Sequence, residues 1–340
     1  MRSSVGFTFI VRMYKKAVVL SQLGLATGSR PDGNVIVRSP CSTSNLGPGY
    51  DVFGLALDAL HDTVEVSFLE KDEIVVEVQG VYSKDIPVEI ELNSAGRTAI
   101  EFSRRYGAFG CKIRVEKGIP PGSGLGSSGA SAAGTAVALN LLLGLKLEKQ
   151  ELVDIAAQGE IAAAGAAHAD NVAPAIYGGF VVIRSYNPLQ VLSLTPPKDF
   201  DFAIALPLGI KKTTKKARSV VPENVPISSV VQNIGAASCI VAGLLLSDFD
   251  LFGKGMLGDV ILEPSRAPLY PGYLEAKEAA LDCGAVGATL SGAGPAVIAL
   301  VNRKDTDPSR VAKSMRLVFE ERGIACQEYV ARPTMGAHTI

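Results

Sequence analysis

Pro120 to Gly134 reads PPGSGLGSSGASAAG, five glycines and four serines in a segment that runs straight into an alanine-rich apolar stretch. Just upstream, CKIRVEKG alternates apolar and polar residues as a strand does. Downstream, residues 127–143 carry small and apolar side chains all round, the pattern of a helix buried on most of its faces. The order is therefore strand, glycine loop, helix. In that order glycine has a use: without a Cβ the backbone can approach an anion closely, and its N–H groups can converge with the unpaired N–H groups of the first helical turn. Ser127 and Ser128 fall where the helix begins, and can cap it or offer hydroxyls to a phosphate or a magnesium ion. A flexible connector, or simply close packing of helix on strand, is the competing reading. Two familiar phosphate loops are excluded. No lysine follows Gly126, as a Walker A loop requires, and Ser127 stands where a dinucleotide fingerprint beginning at Gly122 and Gly124 would need its third glycine.

Outward from the loop, strands and helices interleave. The alternating segments HDTVEVSFLE and EIVVEVQ, broken at Lys71 and Asp72, predict a hairpin, and VIVR at Val35–Arg38 predicts a short strand after a turn-rich boundary. NSAGRTAIEFSRRYG predicts a helix capped by Asn93 or Ser94 and closed by Gly107. LEKQELVDIAAQGEIAAAG predicts a second. GGFVVI and DFAIALP are expected strands on either side of Pro196 and Pro197, where we expect a domain boundary. Beyond it come helices near 230–246, 273–281 and 309–322, with strands GATL, AVIALV and ACQEYVA. The pattern is α+β, divided into an N-terminal extension (1–33), a first domain (34–195) and a second (196–340).

The 340 residues are 47% hydrophobic, enough for two cores. Thirty-three basic and 34 acidic residues leave a net charge of −1, without the clustered basic face that nucleic acid or an anionic membrane demands. The one basic run, KKTTKK at 211–216, reads as a solvated face. Five scattered cysteines without a CxxC pair, and three histidines without ligand spacing, argue against a disulfide framework or a zinc site and for a reducing, cytoplasmic compartment. In the extension, Arg12, Lys15 and Lys16 interrupt an apolar run too short to span a bilayer. A loosely ordered tail, or a start at Met13, is expected there in preference to a targeting signal.

The wording from Pro120 and Pro121 through Gly122, Ser123, Gly124, Leu125, Gly126, Ser127, Ser128, Gly129 and Ala130 resembles the phosphate loop of the GHMP small-molecule kinases. SPCSTSNLGPGYDVFGLALD (Ser39–Asp58) is similar to the first motif of one branch, the homoserine kinases, and LSGAGPAVIAL (Leu290–Leu300) to the superfamily's third motif, whose Gly292 and Gly294 would support the phosphate loop. The resemblance runs from Val35 to Ile340. It implies a two-domain α+β GHMP fold, with an N-terminal domain like ribosomal protein S5 domain 2 and a ferredoxin-like C-terminal domain. The implied activity is transfer of the ATP γ-phosphate to L-homoserine, with Mg²⁺ held by Ser128 and Glu160; a homodimer is possible, and no nucleic acid or membrane is implied.

An amino-acid substrate needs a fork for its carboxylate and an anion for its ammonium group. By resemblance Arg218 and Arg266 would grip the carboxylate with His168 nearby, Asp51 would take the ammonium, and Asn45, Asn171 and Thr214 would surround the hydroxyl. Asn93 and Lys117 would line the nucleotide pocket. Each has a plainer reading: surface arginines, a core histidine, a surface glutamate at Glu160, Asp51 as cap of a helix over VFGLALD. His168 and Asn171 share a face if HADN is helical, and Thr214 and Arg218 if TKKAR is. No dedicated base is expected, with Asp170 the alternative. Two rivals stand beside this reading: a sister kinase with another hydroxyl substrate, and a non-catalytic nucleotide-binding descendant.

Overall fold

The computed structural model describes residues 33–164, 168–210 and 214–340. The extension expected over 1–33 lies, up to residue 32, outside the described residues, as do 211–213 of the basic run.

The first sheet is built on a long hairpin, β1 (Asn34–Asn45) and β2 (Gly49–Phe68), antiparallel from Asn34 opposite Ser67 to Asn45 opposite Gly49. The motif SPCSTSNLGPGYD is therefore the tip of this hairpin. Extended backbone, rather than the alternative helix, follows Asp51. β3 (Ile74–Gln79), α1 (Ser94–Tyr106) and β4 (Cys111–Glu116) come next. The expected hairpin between β2 and β3 does not form: β4 lies between them, antiparallel to β2 and parallel to β3. Gly110 makes the insertion possible, since a Cβ there would sit 1.7 Å from the Lys71 carbonyl oxygen. Alternation in a sequence reports which face is buried, not which strand is the neighbour.

After the glycine loop come α2 (Ser127–Leu142), α3 (Lys149–Ala164) and α4 (Val172–Tyr177), then β5 (Phe180–Tyr186), which pairs with β2, and β6 (Leu189–Leu194), a strand the sequence pattern did not announce. The small residues of α2 let it lie buried against the first sheet, and Ala132, Ala133, Ala136 and Leu139 share one core with Val64, Val66 and Ile113.

The second sheet, in the order β10-β7-β9-β8, uses β7 (Phe200–Pro207), β8 (Gly287–Leu290), β9 (Val297–Asn302) and β10 (Cys326–Ala331). Its helices are α5 (Thr214–Ser219), α6 (Ile227–Leu246), α7 (Phe249–Met256), α8 (Leu262–Arg266), α9 (Tyr273–Asp282) and α10 (Pro308–Glu321). α6 has no charged residue, and among the described residues it alone is long and apolar enough to cross a membrane. The tail returns to the first sheet, where β11 (His338–Thr339) pairs with β1. Phe53 and Phe180 of the first sheet and Phe200 and Phe252 of the second half form a chain of ring contacts, so a continuous apolar core joins the halves.

Candidate active site

Three turns meet at one point. Gly126, the residue before α2, has φ +68, and a Cβ there would lie 2.1 Å from Ser42 Oγ; Gly124, at φ +83, would meet the Ser291 carbonyl at 2.3 Å. Only glycine fits both the backbone angle and the space. Ser291 Oγ donates to the Gly124 carbonyl (2.7 Å) and, its one proton so used, accepts from Thr43 Oγ1 (2.9 Å), and the Gly292 N–H donates to the Ser44 carbonyl (3.0 Å). The first, second and third sequence motifs are thus bonded to one another. Gly294 lies against the Tyr270 ring, where a Cβ would come within 2.7 Å.

At the start of α2 the first N–H groups have no partner within the helix, and the left-handed Gly126 supplies no side-chain cap. Neither serine caps the helix. Ser127 Oγ donates to the Ile119 carbonyl (2.8 Å), while Ser128 Oγ donates to Glu160 Oε2 (3.0 Å). Glu160 is buried, not a surface acid. Burial pushes its carboxyl up to about 7, against the pull of the Ser128 hydrogen bond, and its Oε1 is buried without a partner.

On the hairpin tip, Asn45, Leu46 and Asp51 all hold left-handed backbone, at φ 69, 50 and 55. Asn and Asp tolerate such angles better than other residues with a Cβ, so of the three Leu46 is the one in an unfavourable conformation. Asn45 braces the tip: Oδ1 accepts the Asp51 N–H (3.2 Å) and Nδ2 donates to the Gly292 carbonyl (2.9 Å). The Asp51 carboxylate receives Arg218 through both terminal nitrogens, at 2.5 and 3.1 Å. Arg218 also donates to the Tyr50 hydroxyl (2.7 Å) and stands 3.1 Å from His168 Nδ1. Burial and then the Arg218 charge hold the His168 imidazole below its ordinary value, so it is neutral near pH 7 and can accept from the guanidinium.

Arg266 is only 3% exposed; it donates to the carbonyls of Ala217 and Gly292, each at 3.2 Å. Both guanidinium groups lie 5.2 Å from the Tyr50 ring centroid. Tyr50 is the member the sequence reading missed, although it sits inside NLGPGYD; an aromatic face between two cations is a stable arrangement.

HADN is not helical. His168 and Asp170 precede α4, and Asn171 is its N-cap residue without making a side-chain cap. His168 therefore turns to Arg218 while Asn171 turns to the loop, bonding Ser42 Oγ (3.0 Å) and Ser44 Oγ (3.1 Å). Asp170 is buried beside them, its carboxyl raised to about 6 by burial and then by the Asp51 charge. Thr214 begins α5, one turn before Arg218, and makes no side-chain hydrogen bond among the described residues. The two residues expected at the nucleotide pocket are both hydrogen-bonded within the protein. Asn93 caps α1, its Oδ1 accepting from Ala95 N at 2.9 Å, and Nδ2 donates to the Pro87 carbonyl at 2.7 Å. Lys117 turns inward to Asp62.

Residues 93–179 match the family model described as GHMP kinases N terminal domain, and 240–321 that described as GHMP kinases C terminal. The fold is thus that of a GHMP kinase, an ATP-dependent enzyme that phosphorylates a hydroxyl group. A homoserine kinase of Methanococcus maripaludis is 47% identical over 271 residues, covering 79% of this chain and 88% of that protein. One from Methanocella arvoryzae is 40% identical over 90% of this chain and 97% of its own. The crystal structure of homoserine kinase from Cytophaga hutchinsonii superposes with a TM-score of 0.85 at 36% identity, covering 92% of this chain and 98% of that one. The chain belongs to the homoserine kinase family.

Proposed function

We propose that this enzyme transfers the γ-phosphate of ATP to the hydroxyl of L-homoserine, yielding O-phospho-L-homoserine for threonine biosynthesis. The observation that carries the proposal is the Asp51–Arg218 pair beside the glycine loop, with Arg266 and Tyr50 completing it. An anion and a guanidinium fork held face to face match the two charges of an amino acid. The incoming ammonium takes Asp51 and the carboxylate takes Arg218, so the substrate replaces a salt bridge with two. Asn171, Ser44 and Thr214 would border its hydroxyl.

In this reading the halves divide the labour. Residues 34–195 hold the nucleotide, with N–H groups of Gly124 to Ala130 on its phosphates, and 196–340 supply the arginine clamp and the Gly292 turn. ATP-using kinases of this family generally require Mg²⁺. Among the described residues no group of three acidic, His or Cys side chains is poised for a metal. Magnesium does not need one, because it takes few protein oxygens alongside phosphate and water. Ser128 and Glu160 fit that sparse role, for Glu160 presents a buried oxygen with nothing bound to it. When bound there the ion would neutralise charge on the transferring phosphate.

Phosphoryl transfer through a loose transition state asks mainly for positioning and charge neutralisation, so the mechanism uses no dedicated base. The free cysteines suit a reducing cytoplasm. The test is a coupled ADP-release assay with L-homoserine, L-threonine, mevalonate and shikimate. L-homoserine should give the highest kcat/KM. Preference for another hydroxyl compound would favour a sister kinase, and no turnover with any of them a nucleotide sensor.

A further inference from the structure

One buried carboxylate fastens both ends of the glycine loop. Asp62 of β2 is fully buried, and its Oδ1 accepts the N–H groups of Gly118 (3.0 Å) and Ile119 (3.1 Å), where the chain enters the loop. Its Oδ2 accepts Ser131 Oγ (2.9 Å), in the second turn of α2, and the Lys117 ammonium. Lys117 is equally buried and donates also to the Ser127 carbonyl (2.8 Å) and Ser131 Oγ (2.9 Å), so each of its three protons has a partner. Ser127 Oγ closes the frame onto the Ile119 carbonyl. Entrance and exit of the loop are thus clipped to a single ion pair lying beneath the phosphate-facing amides.

We infer that Asp62 and Lys117 are positioning residues for phosphoryl transfer, setting the spacing at which the loop amides converge on the nucleotide's phosphates. The inference rests on the phosphate-loop reading above. Stability alone is a poor reason for such a pair. Removing two charges from water costs about as much as their attraction returns, and apolar residues of similar size often serve a core as well. What apolar residues cannot do is bond loop backbone: the Gly118 and Ile119 amides and the Ser127 carbonyl all end on these two side chains. The ammonium is spent in this frame, so it has no donor left for the nucleotide. Burial pulls the ammonium below its usual value, and the Asp62 charge and hydrogen bond work against that shift.

The test uses the full-length enzyme with Asp62→Leu and Lys117→Met combined, an apolar replacement of the pair, and separately Ser131→Ala, which removes only the crosspiece. Calorimetry measures adenosine and ATP with Mg²⁺, and steady-state kinetics separate kcat and KM for each substrate. The double variant should unfold at a lower denaturant midpoint, because the Gly118 and Ile119 amides and the Ser127 carbonyl lose their partners, yet stay folded under assay conditions with unchanged affinity for adenosine and L-homoserine. Its kcat/KM for ATP should fall about 100-fold, the scale of a displacement near 1 Å at a reacting centre. Ser131→Ala should shift the same parameter in the same direction by less. A folded double variant with wild-type kcat/KM for ATP overturns the inference. If the double variant does not fold, Ser131→Ala decides: a selective loss in ATP supports the inference and an unchanged value overturns it. Wild-type enzyme that binds ATP no better than adenosine would sink the phosphate-loop reading itself, an outcome distinct from a wild type that prefers ATP and variants that keep the preference.

Discussion

Asp170→Asn separates two things a buried carboxylate can do. Asp170 is held beside Asp51 with its carboxyl raised from 3.8 to about 6, first by burial and then by the neighbouring negative charge, while a Ser44 hydrogen bond pulls the other way. A raised carboxyl favours the folded state while protonated. That contribution is complete below the unfolded value near 4 and is lost as pH rises through about 6. At about 1.4 kcal/mol per unit, the shift amounts to roughly 3 kcal/mol, to order of magnitude. Asparagine cannot ionise, so the variant escapes this loss. Urea unfolding followed by circular dichroism at pH 4 and pH 8 should give similar stabilities for both proteins at pH 4 and a variant more stable by about 2–3 kcal/mol at pH 8. The same variant should lose less than tenfold in kcat, because no base is needed; removal of a true general base costs about 100-fold or more. A variant less stable than wild type at pH 8 would refute the electrostatic reasoning, and a kcat loss above about 100-fold would make Asp170 the base.

Gly126→Ala forces a Cβ to within 2.1 Å of Ser42 Oγ at a left-handed φ, and should raise KM for ATP while lowering stability by at least roughly 1–2 kcal/mol; kinetics and thermal unfolding read both. Arg218→Lys keeps the charge but loses the fork on Asp51 and the Tyr50 hydroxyl, so kcat/KM for L-homoserine should fall about 10–100-fold, as expected for one or two charge-assisted bonds, with KM for ATP unchanged. Glu160→Gln should raise the Mg²⁺ concentration at half-maximal rate by about tenfold or more, read from a magnesium titration, without loss of the fold.

Much of this site was legible because it is made of backbone. The strand, glycine loop and helix around Gly124 and Gly126, the Asn93 cap and the Gly107 stop are local features, and local chemistry fixes them. Partners distant in sequence were not legible. Nothing in HDTVEV says that β4 rather than β3 lies beside it, or that Lys117 would bond Asp62. One signal was there to be read: Asp62 shares its strand parity with Val64 and Val66, all three wholly buried, so an acid stood among inward positions and required a buried partner. Whether His168 and Asn171 share a helical face was conditional on HADN being helical, because four residues leading into the short helix α4 are too few to carry a periodicity. Tyr50 is one residue from Asp51 and still escaped notice, since an aromatic beside glycines reads equally well as packing.

The central claim is that a zwitterion docks by exchanging places with the Asp51–Arg218 pair. Steady-state ADP release should therefore be compared for L-homoserine, 4-hydroxybutanoate, which lacks the ammonium group, and 3-aminopropan-1-ol, which lacks the carboxylate. Both truncated alcohols keep the reacting hydroxyl, and each leaves one half of the pair without its exchange partner. The account predicts a kcat/KM at least about 100-fold lower for each, in line with the loss of a partly buried charged contact that leaves its partner unpaired. Turnover of either alcohol as efficient as that of L-homoserine would contradict it.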